Sequence, residues 1–531
     1  MIPLLDNLNI IFTQLASWRP NAGELHHARF ARAHELKPLT THTLDETALL
    51  LGRTYLGGIY RVTPTKNRRE LGHMLVAAPP RSGKSVLAVS QILTWPHSLI
   101  IIDIKGELYR QTAGYRSTLG SVYVLDSRGL GHQYDPLGNI TNEDELYASA
   151  KNLLYDPREG EGRSFTEWGI LLEVLKWQAC LELNRQHGTH YRLLPFTRHL
   201  ARLGINPAAA AINAISPTLA RALLDGEYDP ELDYRENRYF ANSWQSSRAR
   251  MYPLLTEKVV RCFNGSDFTG ADMIAGEYPT TLYLRIPERM LSAKAPLIRL
   301  VLESLTTEMF DTFDELGDDH CRPVLMILDE AGTVGFPSLP EYAATAAGRG
   351  ISLWLALQDL AQLDGLYGAY KARTIRNSMS AKLFYQQDDP ETAKHISETI
   401  GYRSGYSHSE TIRDGQVASE GRAETAVSVI TQREIMELNP TDIIFLYKNC
   451  KPGRGKRFAH WDVPMLRKRA SMHPPPVKAL PPVAEIALTE APPLLTEEIH
   501  LDDPESLIAS VVRAGSSLET PTTIFWGNRR E

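Results

Sequence analysis

Several absences narrow this chain of 531 residues. No apolar run approaches the ~20 residues that span a bilayer, and the longest are strand-sized. No basic-then-apolar leader opens the sequence, since neither Lys nor Arg precedes Arg19. Cysteine is scarce: Cys180, Cys262, Cys321 and Cys450 lie far apart with no Cys-x-x-Cys. That excludes a disulfide framework, argues against a thiolate metal site, and predicts reduced, mostly buried thiols in a cytoplasmic setting. Charge of one sign is also lacking. The net charge of −6 carries no strongly basic footprint, although a basic channel inside an acidic exterior remains compatible with it. Core-forming residues are not in short supply: 43% of the chain is apolar, and its length suits two or three domains.

What is present begins with an apolar run, His73-Met74-Leu75-Val76-Ala77. It leads into Ala78-Pro79-Pro80-Arg81-Ser82-Gly83-Lys84-Ser85 and then a helical pattern, Val86 to Val89. Strand, tight loop and helix form the context of a P-loop. Backbone N–H groups of such a loop cradle phosphates, aided by the positive end of the helix dipole. Lys84 is placed to reach the β- and γ-phosphates of ATP, and the Ser85 hydroxyl to sit on Mg²⁺. Ala78 stands where the usual pattern has Gly, which would be costly if that position needs a positive φ.

Far downstream, Val324-Leu325-Met326-Ile327-Leu328 ends in Asp329-Glu330. Five apolar residues followed by two carboxylates read as a buried parallel strand with its acids at the ligand-binding edge. Adjacent carboxylates beside an apolar core are costly without a function. Asp329 is expected to hold Mg²⁺ through water, and Glu330 to orient the attacking water. Gln358 closes a further apolar strand, Ile351 to Leu357, where a neutral amide can sense phosphate occupancy. Arg349, in a Gly-Arg-Gly turn, is the candidate for an arginine finger reaching a neighbouring subunit's nucleotide, with Arg373 and Arg376 as competitors.

Strand and helix patterns alternate over 71–140, with further strands at Ser98 to Ile104 and Ser121 to Leu125, which predicts an α/β fold with a mostly parallel sheet. From about 142 to 252 the pattern turns helical, with Phe165, Trp168, Leu171, Leu172 and Leu175 as one stripe. Strand patterns return at Thr280 to Ile286, at the acidic strand, and at Ile351 to Leu357, Ala381 to Tyr385 and Asp442 to Tyr447. After Met472 the chain becomes proline-rich and acidic, as disordered or extended tails are. Near the start, Leu4, Leu5, Leu8, Ile11, Phe12 and Leu15 share one helical face. It reads as a helix docked on its own domain, or alternatively on a membrane partner. Two basic clusters, Lys371-Arg373-Arg376 and Lys451-Arg454-Lys456-Arg457, are candidate phosphate contacts for DNA. His26, His27 and His34 lack the partners that would complete a metal-ligand set.

These residues carry a resemblance. Leu75 to Asp126, with its P-loop, Leu93-Thr94-Trp95-Pro96, Asp103-Ile104-Lys105-Gly106-Glu107 and Thr112-Ala113-Gly114-Tyr115-Arg116, resembles the TraG/TraD-type coupling ATPases of type IV secretion and conjugation. So do Ala347-Gly348-Arg349-Gly350-Ile351-Ser352-Leu353, Leu357 to Leu363, Asp389-Pro390-Glu391-Thr392-Ala393 and, near the start, Glu24 to Ala31. The resemblance implies a RecA-like P-loop ATPase assembling as a homo-hexamer, with ATP and Mg²⁺ bound between subunits. It also implies an all-helical inserted domain that meets substrate. Such a motor delivers relaxase-bound single-stranded DNA, or protein, to the ATPases and inner-membrane components of the secretion channel.

The expected organisation is an N-terminal segment 1–60, a motor in two parts (61–141 and 253–466), a helical insert 142–252, and a tail 467–531 suited to docking a relaxase or accessory protein. Most such proteins carry transmembrane helices ahead of the motor. The expectation here is a form without them, peripheral at the cytoplasmic membrane face, anchored by a separate small membrane protein, visiting as a soluble ring, or truncated. Two alternatives stand beside this reading: an FtsK- or HerA-like DNA translocase outside secretion, and a substrate receptor that does not hydrolyse.

Overall fold

The computed structural model describes residues 26–44, 47–64, 71–140, 142–154, 164–334, 338–413, 416–484 and 486. The amphipathic pattern of Leu4 to Leu15, Glu24-Leu25 of the N-terminal motif, and the tail beyond 486 lie outside the described residues. Two compact units emerge. The first comprises 1–97, 323–332 and 339–472, and the second 98–322, 333–338 and 473–531.

In the first unit, four parallel strands run in the order Met379–Phe384, His73–Ala77, Ile351–Leu357, Val324–Leu328. Every residue of the last three strands is buried, which explains their apolar composition, broken only by His73 and Ser352. Each such Leu, Ile or Val stabilises the fold by about 1.5–3 kcal/mol relative to exposure. Beyond Met379–Phe384 the sheet turns antiparallel, through Asp442–Tyr447, Gly453–Lys456, Leu49–Arg53, Ile59–Val62 and the short Thr40–Thr41. A long hairpin, Tyr402–Arg413 with Gln416–Ser428, forms a separate two-stranded sheet. The N-terminal motif grips its base: Ala28 N–H donates to the Tyr402 carbonyl, and Ser404 N–H to that of His26.

In the second unit, Ser98–Ile102, Thr281–Arg285 and Val122–Asp126 lie parallel, with Leu130–Gly131 antiparallel at the edge. Between Val122–Asp126 and Thr281–Arg285 the chain is helical, from Glu143–Leu154 to Gly270–Ile274. In the helix Ser164–His187, Leu172 and Leu175 of the expected stripe are buried, but Trp168 and Leu171 are exposed. The buried face instead follows Ile170, Glu173, Val174 and Trp177, and the side chain of Phe165 lies outside the described residues. The proline-rich segment is tied down at its start: Gly131 N–H donates to the Lys478 carbonyl, Leu480 N–H to that of Gly129, and the Tyr109 hydroxyl to that of Pro475. No described helix is long and apolar enough to cross a membrane.

Candidate nucleotide site

The loop after His73–Ala77 is built by two backbone conformations. Gly83 adopts φ 101° and Arg81 φ 65°, both left-handed. Ala78 has no positive φ, so the methyl that replaces the usual glycine costs nothing; its N–H donates to the Leu357 carbonyl. Pro79 O accepts from the Ser82 hydroxyl at 2.6 Å, which closes the turn. Gly83 then starts the helix Lys84–Thr94 without any side-chain cap. The first-turn N–H groups therefore have no acceptor from a capping side chain, the arrangement that receives an anion.

Strand order brings the other groups to this turn. Val324–Leu328 and Ile351–Leu357 end beside it, so Asp329, Glu330 and Gln358 emerge at the same edge. Lys84 Nζ lies 3.2 Å from Glu330 Oε2, and Gln358 Nε2 donates to Glu330 Oε1 at 2.6 Å. The Ser85 hydroxyl donates to Asp329 Oδ2 at 3.2 Å. Lys84 is buried while Glu330 keeps about a quarter of its side chain exposed. The ammonium–carboxylate pair is thus held at one contact rather than sealed. Glu330 itself has φ 77°, a conformation that costs a non-glycine residue about 1–2 kcal/mol and that clusters at functional sites. The Ser85–Asp329 pair offers oxygen donors only, which suits a hard cation such as Mg²⁺.

Two neighbours were not expected at this site. Gln362 Oε1 accepts from the Gln358 N–H at 2.9 Å and packs so close to Gly332 that a Cβ there would meet it at 2.3 Å. Arg457 Nη1 approaches the Ser82 carbonyl at 3.4 Å and lies over Gly83. Arg457 was legible only as one member of a basic cluster. The others in that cluster have internal partners: Lys451 pairs with Glu35 at 3.3 Å, Lys456 with Asp442, and Arg454 stacks on Phe30. Lys371 and Arg373 are exposed, and Arg376 pairs with Asp364 at 3.0 Å. Arg349 is not brought to the cluster. It precedes Ile351–Leu357 while Gln358 follows it, which separates them by more than about 20 Å along the strand.

A second strand–loop–helix turn lies in the second unit. Ser98–Ile102 leads through Asp103 to Gly106, φ 68°, and the helix Glu107–Arg116. Asp103 Oδ2 accepts from the Tyr109 N–H at 2.8 Å, and burial raises its pKa. Asp126, whose side chain is fully buried, pairs with Arg128 at 2.5 Å and with Arg285 at 3.6 Å; Arg285 packs over the Tyr109 ring. These groups line an open cleft of about 690 Å³.

A family profile described as "Type IV secretory system Conjugative DNA transfer" matches residues 21–158 and 237–479, more than half of the chain. Among curated proteins, the chain is 27% identical over 403 residues to the conjugal transfer protein TraG of Escherichia coli, covering 69% of this chain and 60% of that protein. It is 28% identical over 362 residues to protein VirD4 of Rhizobium radiobacter, covering 62% and 48%. The chain thus spans about half to three-fifths of the length of these relatives. Two solved structures of the plasmid coupling protein TrwB, one with a non-hydrolysable ATP analogue and one with ADP and Mg²⁺, align at TM-scores of 0.61 and 0.60. Each alignment covers 83% of this chain and 96% of the other, at 18% and 17% identity. Their likeness is one of fold, and it supports an α/β architecture with parallel strands at the site. The profile match establishes the family: this chain belongs to the conjugative DNA-transfer proteins of type IV secretory systems.

Proposed function

We propose that this protein is a coupling ATPase, which uses ATP hydrolysis to deliver relaxase-bound single-stranded DNA, or protein, into a type IV secretion channel. The observation that carries this reading is the convergence of Lys84, Ser85, Asp329, Glu330 and Gln358 on one uncapped helix start. TraG, TrwB and the VirD4 of Bartonella quintana are conjugation or coupling proteins by name, and TrwB binds an ATP analogue, and ADP with Mg²⁺. Within residues 78–85, the backbone N–H groups of Gly83, Lys84 and Ser85 at the uncapped helix start receive the polyphosphate. Lys84 exchanges its contact with Glu330 for the β- and γ-phosphate oxygens. Glu330, so released, orients a water for attack, and Gln358 fixes the carboxylate through its amide. Ser85 and Asp329 would hold Mg²⁺, which when bound neutralises charge on the phosphates.

In this reading Arg349 acts in trans, in a homo-hexamer with nucleotide between subunits, because it stands at the far end of the strand from its own chain's cluster. The helical stretch 142–252 is the substrate-facing domain between motor parts 61–141 and 253–466. The ring works at the cytoplasmic membrane face, beside channel ATPases, inner-membrane components and a separate anchor protein, and the tail docks a relaxase. The test is turnover and nucleotide binding with and without single-stranded DNA. Lys84→Ala is expected to abolish turnover; Glu330→Gln is expected to lower it at least about 100-fold while retaining bound ATP. Normal hydrolysis by Glu330→Gln would remove the water-orienting role. A DNA-independent rate would count against the pump.

A further inference from the structure

Sheet order gives the P-loop two sides. The strands ending in Gln358 and Glu330 lie on one, which marks the γ-phosphate end of a bound nucleotide. On the other side, beyond Met379–Phe384 and Asp442–Tyr447, lies Gly453–Lys456, followed by Arg457 against Ser82 and Gly83. A short helical turn, His460–Asp462, packs on the helix Lys84–Thr94, where His460 meets the Val86 backbone. Since phosphates occupy the first-turn N–H groups, the nucleoside must leave the helix start on this side.

A cleft of about 370 Å³ opens there, between the ends of the paired strands Leu49–Arg53 and Gly453–Lys456. That volume lies within the ~300–1,000 Å³ of small-molecule sites. Its walls include two aromatic rings with about half their surface exposed, Tyr55 at 59% and Trp461 at 44%. Each ring has a neighbour against it: Lys456 Nζ lies 5.5 Å from the Tyr55 ring, and the His460 ring packs edge-on against Trp461 at 4.9 Å. An Arg53–Asp462 ion pair at 3.1 Å ties the two walls together, and Thr54 and Thr441 supply polar atoms at the rim. Arg457 lines both this cleft and the P-loop, and so joins them. Half-exposed aromatic rings around a polar, solvent-open cleft suit a flat π-system with hydrophilic edges.

We propose that this cleft is the base-and-ribose subsite of the nucleotide site, with Tyr55 and Trp461 flanking the aromatic base and Arg457 at the junction with the polyphosphate. The inference rests on the nucleotide reading above, and a base-free ligand separates the two. Affinities of the full chain for Mg-ATP and for inorganic tripolyphosphate with Mg²⁺ would be compared by calorimetry. Trp461→Ala and Tyr55→Ala are each expected to weaken ATP about tenfold, the weight of one base–aromatic stack, and to leave tripolyphosphate within twofold. Lys84→Ala should weaken both ligands. Both rings are half-exposed, so neither truncation removes core. If both aromatic variants bind ATP within twofold of the parent, or lose the two ligands equally, the subsite is wrong while the P-loop reading stands. If the parent chain binds neither ligand, the nucleotide reading falls and takes the subsite with it.

Discussion

Residues 77–84 and 102–107 follow one backbone plan: a buried parallel strand, a loop closing on a left-handed glycine, and a helix with no side-chain cap. Their neighbours differ. At the first turn the opposite charges touch at one point, 3.2 Å, with the carboxylate partly open to solvent. At the second, the fully buried Asp126 holds Arg128 by two hydrogen bonds, at 2.9 and 2.5 Å, and Arg285 stacks on Tyr109. The first lysine can change partners for a ligand. In the second, Arg128 is committed to the carboxylate by hydrogen bonds, and Arg285 is held near it at 3.6 Å. A strand–loop–helix turn is therefore a place for a site, and the unspent charge of its neighbours makes it one.

Breaking the committed ion pairs tests this most strongly. Asp126→Ala removes the buried carboxylate that Arg128 and Arg285 share, and is expected to cost about 3 kcal/mol while ATP affinity stays within twofold. Denaturant titration and calorimetry on the same preparation read both. A loss of ATP affinity equal to that of Lys84→Ala would mean the turns are not functionally separate.

Acid should separate the units in opposite directions. Burial holds His73, at the head of the P-loop strand, down to about 4 from its usual 6.5. The folded state refuses a proton that the unfolded chain accepts, so this contribution is complete above pH 6.5 and is lost as pH falls toward 4. It amounts to about 2 kcal/mol between pH 7 and 5. In the second unit, burial pushes Asp135 up to about 6, despite Arg192 at 3.3 Å. There the folded state takes the proton first, and stability rises as pH falls from 6 toward 4. Segment-resolved hydrogen exchange at pH 7 and 5 is expected to show protection falling around His73–Ala77 and holding around Asp135. Equal loss in both would remove the contrast.

The smallest effect concerns the second glycine. At Gly106, a Cβ would meet Arg285 Nη2 at 2.9 Å, and φ is 68°. Gly106→Ala should cost about 1 kcal/mol, read as a small fall in melting temperature. An unchanged or higher melting temperature would mean that Arg285 is not held by this close approach.

The parallel strands were legible because burial on both faces leaves a near-continuous apolar signature, as in Val324–Leu328 and, apart from Ser352, Ile351–Leu357. The cluster of Lys84, Ser85, Asp329, Glu330 and Gln358 was legible because strand ends share one edge. The antiparallel strands Leu49–Arg53, Ile59–Val62 and Gly453–Lys456 were not. Gly453-Arg454-Gly455-Lys456 shows neither alternation nor an apolar run; its glycines leave room for Phe445 and for the Arg53 backbone, and its charges read as a DNA patch. The hairpin over 402–428 was missed because its sequence is polar and the described side chains at its base, 402–407 and 423–428, are mostly exposed or half-buried, which leaves no apolar pattern. Tyr55 and Trp461 escaped, and Arg457 was read only as one of a DNA-contact cluster, for a related reason: they meet only through the pairing of strands some 400 residues apart.

Glu330 carries its own consequence. Its left-handed backbone would relax with glycine, the one residue indifferent to that conformation, so the site holds a glutamate against the preference of its main chain. Drift toward greater stability at this position would therefore erode the carboxylate first, and the fold would survive the change in comfort. A member of this family that has lost its motor activity yet kept its shape would be expected to bear its earliest scar at this residue.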